Sequence, residues 1–416
     1  MTTVELNHIS KIEGHAKLNI KIEKNELKNL ELEIFEGARF FENILRDKKY
    51  DELPLISSRI CGVCSPTHVL ASIQAIENAF GIIPGNNVKL LRELLAIGGL
   101  IQSHSLHLYF LVLPDYLGFG SAIQMVSKYK EEVNRALKIK RVGNKIVRVI
   151  GGRDIHPLTT IVGGFSKVPS VKELKLLNDE LKEVQNDALK TFKLFSKLHF
   201  PDFKHESTYI ALYGRTFLGD KISYLENDTL KHFPNSYENY IKKYFQHDST
   251  AEFVVVEGKG YTAGAQARLN VNWDFQDKKF KDLLEFQVPS FSPFSNIIFQ
   301  SFEIMSSINR AIEILNELIE NSNNVEPKKD IIPKDSTGIG VIEAPRGLLF
   351  HKYSFDNNGY CTFANVTTPT SQNLRTIEDC LKVFVKENLH LSENKLISEV
   401  EKLIRAFDPC ISCSSH

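Results

Sequence analysis

Apolar and polar residues alternate between positions 16 and 34, on either side of the polar turn EKNE. The apolar positions are Ala16, Leu18, Ile20, Ile22, Leu30, Leu32 and Ile34. A period of two places every second side chain on the same face of a strand. This stretch therefore predicts a β-hairpin with one buried face.

Longer stretches show helical patterns. In SPTHVLASIQAIENAFG, Ser65 is the predicted N-cap and Pro66 the first helical residue, so a helix is predicted directly after Cys64. Residues 88–113 are apolar on nearly every side, which predicts a helix buried in a bundle and ending at Pro114. Further helices are predicted over 171–199, 298–323 and 391–407, and strands at EFVVVEG, GIGVIEAP and YCTFANVTTP.

These elements predict a mainly α fold with smaller β elements (α+β): a central buried helix bundle with an N-terminal β-hairpin or sheet. A chain of 416 residues can bury a large core. We expect residues 1–416 to form a single domain with several lobes. The weakly periodic stretch 200–290 is the candidate for a peripheral lobe.

The charge balance excludes some classes of partner. Lys+Arg and Asp+Glu both number 51, so the chain has no global basic field to attract nucleic acid or anionic lipid. The N-terminus MTTVELNHIS lacks the pattern of a signal peptide, and no uninterrupted apolar run reaches the roughly 18 residues of a membrane helix. We therefore expect a cytoplasmic protein with no transmembrane segment and no nucleic-acid partner.

Four of the six cysteines form two Cys-x-x-Cys pairs near opposite ends of the chain, each followed by a histidine. The residues are Cys61, Cys64 and His68 in RICGVCSPTH, and Cys410, Cys413 and His416 in DPCISCSSH. In a chain without an export signal, such pairs indicate metal or redox chemistry. Four thiolates from two such turns can complete one metal site.

The distance between the pairs along the chain favours a functional site. A chain this long needs no metal to fold, so a site that joins its two ends is typical of an active centre. On spacing alone, a shared structural zinc site and a redox dithiol stay open as alternatives. Neither pair stands at the start of an evident thioredoxin-like unit.

With their flanks, both stretches resemble the two signatures of the large subunit of nickel-iron hydrogenases, Arg-x-Cys-x-x-Cys-x-x-x-His and Asp-Pro-Cys-x-x-Cys-x-x-His. The matching residues are Arg59, Cys61, Cys64 and His68, then Asp408, Pro409, Cys410, Cys413 and His416. The resemblance implies a nickel-iron centre whose iron carries two cyanides and one carbon monoxide. Cys61 and Cys410 would bind nickel alone. Cys64 and Cys413 would bridge nickel to iron.

Other stretches of the family pattern imply roles around the metals. Arg346 in EAPRG would be the positive group over the open side of the metals, and Pro369 and Thr370 in VTTPT would embrace the cyanides. Glu13 in KIEGH would relay protons to and from Cys410. Without the cysteine motifs, Arg346 would be read as a surface ion pair, Thr370 as a strand residue and Glu13 as a solvated one.

The resemblance also implies a second metal site. Glu42 in ARFFENIL would give its carboxylate to magnesium or a similar ion, together with the imidazole of His416 and the backbone carbonyl of Val366. His68 and Asp408 would lie around the nickel-iron centre. The C-terminal segment FDPCISCSSH should then be one of the most buried parts of the chain.

One position departs from many periplasmic relatives. Ser103, directly before His104 in QSHSLHLY, stands where those proteins have an aspartate, which removes an acidic partner of the arginine. In this respect, and in its short length, the chain resembles the cytoplasmic bidirectional branch of the family. That branch includes sulfhydrogenase-like, NAD(P)-linked, deazaflavin-linked and viologen-reducing enzymes.

The resemblance implies an oxidoreductase that cleaves H2 reversibly and heterolytically into protons and electrons. Cys361 and Cys380 are the only cysteines outside the pairs, and we expect them to be buried apolar residues. Iron-sulfur clusters would therefore lie only in a partner small subunit, with further diaphorase or electron-transfer subunits beyond it. The alternatives are a structural zinc protein, an H2-sensing regulatory protein, and a relative of the quinone-site subunit of complex I, which lacks the four cysteines.

Overall fold

The computed structural model describes residues 2–219, 221–233, 240–247, 249–321 and 330–416. The helices are α1 Phe41–Leu45, α2 Leu53–Ser57, α3 Ser65–Phe80, α4 Asn86–Leu106, α5 Leu113–Leu117, α6 Ala122–Met125, α7 Lys130–Gly151, α8 Val171–Phe195, α9 Ala265–Asn272, α10 Lys278–Lys281, α11 Ser295–Glu320, α12 Pro369–Glu387, α13 Glu393–Ala406 and α14 Ile411–Ser414. Short 3₁₀ helices cover Ser58–Ile60 and Trp273–Phe275, and a π-helix covers His107–Val112.

The strands belong to several small sheets. They are β1 Thr2–Leu6, β2 Ala16–Glu23, β3 Glu26–Ile34, β4 Thr160–Ile161, β5 Gly164–Phe165, β6 Thr208–Leu212, β7 Ile222–Glu226, β8 Thr229–His232, β9 Ile241–Phe245, β10 Glu252–Val256, β11 Tyr261–Thr262, β12 Ser336–Ala344, β13 Gly347–Phe355 and β14 Cys361–Thr367. The predicted α+β class is confirmed, because helices form the larger part of the described core and the sheets are small.

The N-terminal hairpin is confirmed. β2 and β3 pair antiparallel, with Leu18 opposite Leu32 and Ile20 opposite Leu30, and all four side chains are buried. β1, which the alternation did not predict, adds to the other edge of β2.

The central bundle is built from α4, α7, α8 and α11. Gly98 of α4 and Gly143 of α7 meet at the crossing, where a Cβ atom on either residue would lie 3.0 Å from the carbonyl oxygen of the other. The helical run Asn86–Leu117 is long and apolar enough to cross a membrane, but 83% of its most apolar window is buried inside the protein. It is the buried bundle helix that the sequence predicts.

Two predicted helix ends are wrong. Cys64, and not Ser65, is the N-cap of α3. The helix expected to stop at Pro114 continues through the π-helical segment into α5, whose C-cap is Gly118 with φ 76°. Pro114 lies directly after the point where the π-helical segment gives way to α5, and the proline does not end the helix there.

The other predicted helices correspond to α8, α11 and α13, and residues 322 and 323 of the predicted 298–323 helix lie outside the described residues. The predicted strands correspond to β10, β12 and β14. Within 200–290, β11-β6-β7-β8 form one sheet and β9-β10 pair separately. The single domain over 1–416 and the peripheral lobe stay predictions.

The C-terminal sheet β12-β13-β14 positions the first cysteine pair. β12 packs on α3 at two glycines, Gly338 and Gly340. A Cβ atom at Gly340 would lie 2.1 Å from the carbonyl oxygen of Ala71 in α3, so only glycine permits this approach. The sheet thereby fixes the position of α3, whose N-cap is Cys64.

Candidate metal centre

The four sulfur atoms of the two Cys-x-x-Cys pairs converge in the protein interior. Cys61 Sγ lies 3.7 Å from Cys410 Sγ, and Cys64 Sγ lies 3.6 Å from Cys413 Sγ. The two C-terminal sulfurs are 2.8 Å apart. All four residues are buried, with at most 6% of any one exposed. This donor set fits a metal centre with soft ligands.

Local backbone structure brings each pair to the centre. Cys61 follows the 3₁₀ helix Ser58–Ile60, and Cys64 caps α3. At the other end, Pro409 prevents continuation of α13, and Asp408 takes φ 52°, which reverses the chain into the short helix α14. Cys410 is the N-cap of that helix.

The C-terminal segment is buried, as predicted. Every residue from 403 to 411 and from 413 to 415 is buried, and only 3% of the His416 side chain is exposed. A terminus with this degree of burial is unusual, since chain ends are commonly exposed. Its side chains are instead part of the site.

Arg346 is the cationic group of the site. It lies in the tight turn between β12 and β13, where Nε donates to the carbonyl oxygen of Asp408 at 2.7 Å and Nη2 donates to Asp408 Oδ1 at 2.9 Å. Burial opposes its charge, yet Asp408 and then the sulfurs of Cys410, Cys61 and Cys64 hold the pKa of Arg346 above its usual range. Arg346 is therefore a permanent cation beside the cysteine sulfurs and not a surface ion pair.

Ser103 completes the surroundings of the arginine. Arg346 Nη1 donates to Ser103 Oγ at 3.4 Å, so the group that residue 103 presents to the guanidinium is a neutral hydroxyl and not a carboxylate. Asp408 also accepts from Gln300 Nε2 at 3.0 Å, a contact that the sequence did not predict. Asp408 is the carboxylate that neutralises Arg346.

Glu13 contacts the second cysteine pair directly. Its Oε2 atom lies 3.0 Å from Cys410 Sγ and accepts from the backbone N–H of Ser412 at 3.1 Å, while Ser412 Oγ donates to Oε1. The pKa of Glu13 is raised to about 7. Burial is the main cause, and the neighbouring Cys410 sulfur is the second. Ser412 occupies a variable position of the motif, so no sequence signal indicated its role.

Two helix N-termini point to the centre. Cys64 caps α3, and Thr370 in the first turn of α12 accepts from the backbone N–H of Cys410 at 2.9 Å. Pro369 and Thr370 are therefore helical, and the reading of Thr370 as a strand residue is wrong. Each helix N-terminus carries roughly half a positive charge, which stabilises thiolates nearby.

His68 lies one turn after Cys64 on α3 and is completely buried. Its Nδ1 shares a hydrogen bond of 3.1 Å with His351 Nε2, and burial lowers the pKa of His68 to about 3. His68 Nε2 is buried without a hydrogen-bond partner among the described residues. The imidazole is therefore neutral.

The three residues predicted to bind magnesium also come together. His416 Nε2 lies 3.1 Å from the Val366 carbonyl oxygen and 3.9 Å from Glu42 Oε1. The sequence did not predict a fourth group here: Lys243 Nζ, which donates to the same carbonyl at 2.8 Å and lies 3.7 Å from Glu42 Oε1. Burial by itself would raise the pKa of the Glu42 carboxyl, but the nearby His416 and Lys243 outweigh it and hold this pKa below its usual value.

Four buried cysteine sulfurs supplied by both ends of a large, mainly helical chain define a metalloprotein with a soft-ligand centre. Residues 39–135 and 274–416 match the nickel-dependent hydrogenase family. The chain therefore belongs to the nickel-dependent hydrogenase family and corresponds to the large subunit of these enzymes. Membership of this family makes it an oxidoreductase with a nickel-iron centre and implies a small-subunit partner.

Individual relatives agree over nearly the whole length. The chain is 36% identical to the alpha subunit of sulfhydrogenase 1 from Pyrococcus furiosus, over 99% of this chain and 97% of that protein. It is 32% identical to the alpha subunit of sulfhydrogenase 2 from the same organism, over 99% of this chain and 98% of that protein. The fold matches the crystal structure of an NAD+-reducing [NiFe]-hydrogenase in the H2-reduced state, with TM-score 0.91, 22% identity and full coverage of both chains.

Proposed function

We propose that this chain is the catalytic subunit of a nickel-iron hydrogenase that cleaves H2 heterolytically and reversibly. The observation that carries the proposal is the convergence of four buried sulfurs with a buried cation, Arg346, and a carboxylate, Glu13, which lies 3.0 Å from Cys410 Sγ. Heterolytic cleavage separates opposite charges, so a fixed positive group and a nearby proton acceptor both serve it.

The four cysteines would divide the two metals between them. Cys61 and Cys410 would hold nickel alone, and Cys64 and Cys413 would hold both nickel and iron. The iron would carry two cyanides and one carbon monoxide, with Pro369 and Thr370 beside the cyanides. When bound, the nickel-iron centre supplies the Lewis-acid and redox chemistry of H2 cleavage.

The chain supplies electrostatic stabilisation and a proton route. Arg346 is kept charged and oriented by its two contacts with Asp408, so its position costs no reorganisation during turnover. Cys410 Sγ would pass protons to Glu13 Oε2. Ser412, bonded to the same carboxylate and only partly buried, would be the next group towards the surface.

The Glu13→Gln variant should exchange isotopes between H2 and water about 100-fold more slowly, because an amide cannot relay protons. Nickel and iron contents should stay at the wild-type level, since Glu13 is not a proposed ligand. The matched control is Glu36→Gln, which removes a carboxylate paired with His15 at 2.8 Å. An unchanged exchange rate in Glu13→Gln would remove this residue from the proton route.

Electrons must leave through another subunit. Cys361 and Cys380 are buried, and burial raises the pKa of both thiols, to about 11 for Cys361, so neither is suited to bind a cluster. We propose that iron-sulfur clusters lie in the small subunit, followed by diaphorase or other electron-transfer subunits and a soluble acceptor, in the cytoplasm.

Steady-state dye reduction under H2 tests this function. The purified, nickel-loaded complex should reduce a viologen continuously for many turnovers. A loaded complex that binds H2 without turning over would contradict the catalytic role and would indicate a sensor.

A further inference from the structure

Lys243 lies among the residues that the resemblance assigns to magnesium. It projects from β9, and its Nζ atom is 2.8 Å from the Val366 carbonyl oxygen, 3.7 Å from Glu42 Oε1 and 2.8 Å from Glu252 Oε2. The Glu252 contact is an ion pair without an aligned hydrogen bond. The ammonium group therefore has three oxygen atoms around it, two of them from carboxylates.

The strand register makes this arrangement specific. Lys243 pairs with Val254 across β9 and β10, and Glu252 is two residues from Val254, on the same sheet face. Lys243 and Glu252 are thus diagonal cross-strand neighbours, which long side chains can bridge. Lys243 is 20% exposed and Glu252 18%, so the pair is largely shielded from water.

The site does not fit a divalent ion. Magnesium demands oxygen ligands in near-octahedral geometry at about 2.0–2.1 Å. The Val366 carbonyl oxygen already accepts a hydrogen bond from the ammonium group of Lys243 at 2.8 Å, so this cation occupies the side of the oxygen where a metal would bind. A divalent cation on this oxygen would also lie next to the ammonium group, and the two positive charges would repel each other.

We propose that the ammonium group of Lys243 replaces the divalent cation at this site and holds the C-terminal segment in place. The cation joins Glu42 of α1 and Glu252 of β10 to the Val366 carbonyl of β14, to which His416 is bonded. His416 in turn bonds the carbonyl oxygen of Cys413 through Nδ1 at 2.8 Å. Lys243 is therefore a positioning residue, connected to the proposed metal ligand Cys413 by three successive contacts.

Elemental analysis and thermal unfolding of the purified complex test this proposal, with three forms compared: wild type, Lys243→Ala and Lys242→Ala. Lys242 is the adjacent residue on β9, is exposed and points to the opposite face, so it is the matched control. Magnesium, calcium and manganese are counted after treatment with a chelator. Nickel counted in the same sample reports separately on the proposed function.

The wild-type complex should contain no stoichiometric magnesium, calcium or manganese. The Lys243→Ala form should unfold at an apparent Tm at least about 2 °C lower, because two carboxylates lose their cation, while Lys242→Ala should match the wild type. One tightly held ion of these metals per wild-type chain would overturn the proposal. Equal Tm values for the two alanine variants would overturn it as well.

Discussion

Replacing Cys410 by serine is expected to abolish hydrogen turnover and leave the fold intact. The sulfur lies 2.8 Å from Cys413 Sγ and 3.7 Å from Cys61 Sγ in a completely buried position. A serine hydroxyl is a harder donor that stays protonated, so it binds nickel poorly. Replacing a residue that only hydrogen-bonds to a metal ligand typically costs about 10–100-fold in metal affinity or activity. Loss of a ligand itself should therefore cost more than about 100-fold.

Nickel content, dye reduction under H2 and thermal unfolding together measure this effect. The control is Cys361→Ser, since Cys361 is equally buried and donates to the Phe363 carbonyl oxygen, a bond that serine can also make. We expect Cys361→Ser to keep nickel and activity. If Cys410→Ser retained both, Cys410 would not be a ligand, and the proposed centre would be wrong.

Replacing Arg346 by lysine should lower turnover by about 100- to 1,000-fold, the loss typical when one preorganised charge-stabilising donor is removed. Lysine keeps a positive charge but cannot reproduce the planar fork that contacts Asp408 through Nε and Nη2. Nickel should stay bound, because Arg346 is not a ligand. Asp408 should stay satisfied, because it also accepts from Gln300.

The rate of the Arg346→Lys variant shows whether turnover needs only a positive charge at position 346 or also the planar geometry of the guanidinium group. It is measured as H2-dependent dye reduction per nickel bound, so that incomplete metal loading does not count as slow turnover. Arg375→Lys is the control, as Arg375 pairs with Asp379 one helical turn away in α12 and is 37% exposed. Equal turnover per nickel in both variants would show that a positive charge alone suffices at position 346.

The sequence indicated those parts of the site whose chemistry is local. Two residues between cysteines suffice to bring both sulfurs to one ion, and Asp408-Pro409 marks the end of α13. The hairpin followed from alternation, because one face of β2 and β3 is buried. The resemblance then supplied Glu13 and Arg346, which no periodicity would have singled out.

The parts that the sequence did not indicate depend on contacts between distant segments. The contact of Lys243 with the Val366 carbonyl oxygen joins two separate sheets, β9-β10 and β12-β13-β14, and nothing in IKKYF distinguishes Lys243 from Lys242. Ser412 reaches Glu13 because Glu13 and Cys410 form an isolated β-bridge, which places the two distant segments side by side. Pro114 misled the prediction of a helix end, since a π-helical segment restarts the helix just before it.

An infrared spectrum of the purified complex tests the central claim most directly. A nickel-iron centre of the proposed composition predicts absorption bands from one metal-bound carbonyl and two cyanides, which shift when H2 replaces an inert gas. A protein that contains zinc and shows no such bands would contradict it, because the four thiolates of Cys61, Cys64, Cys410 and Cys413 would then form a structural site.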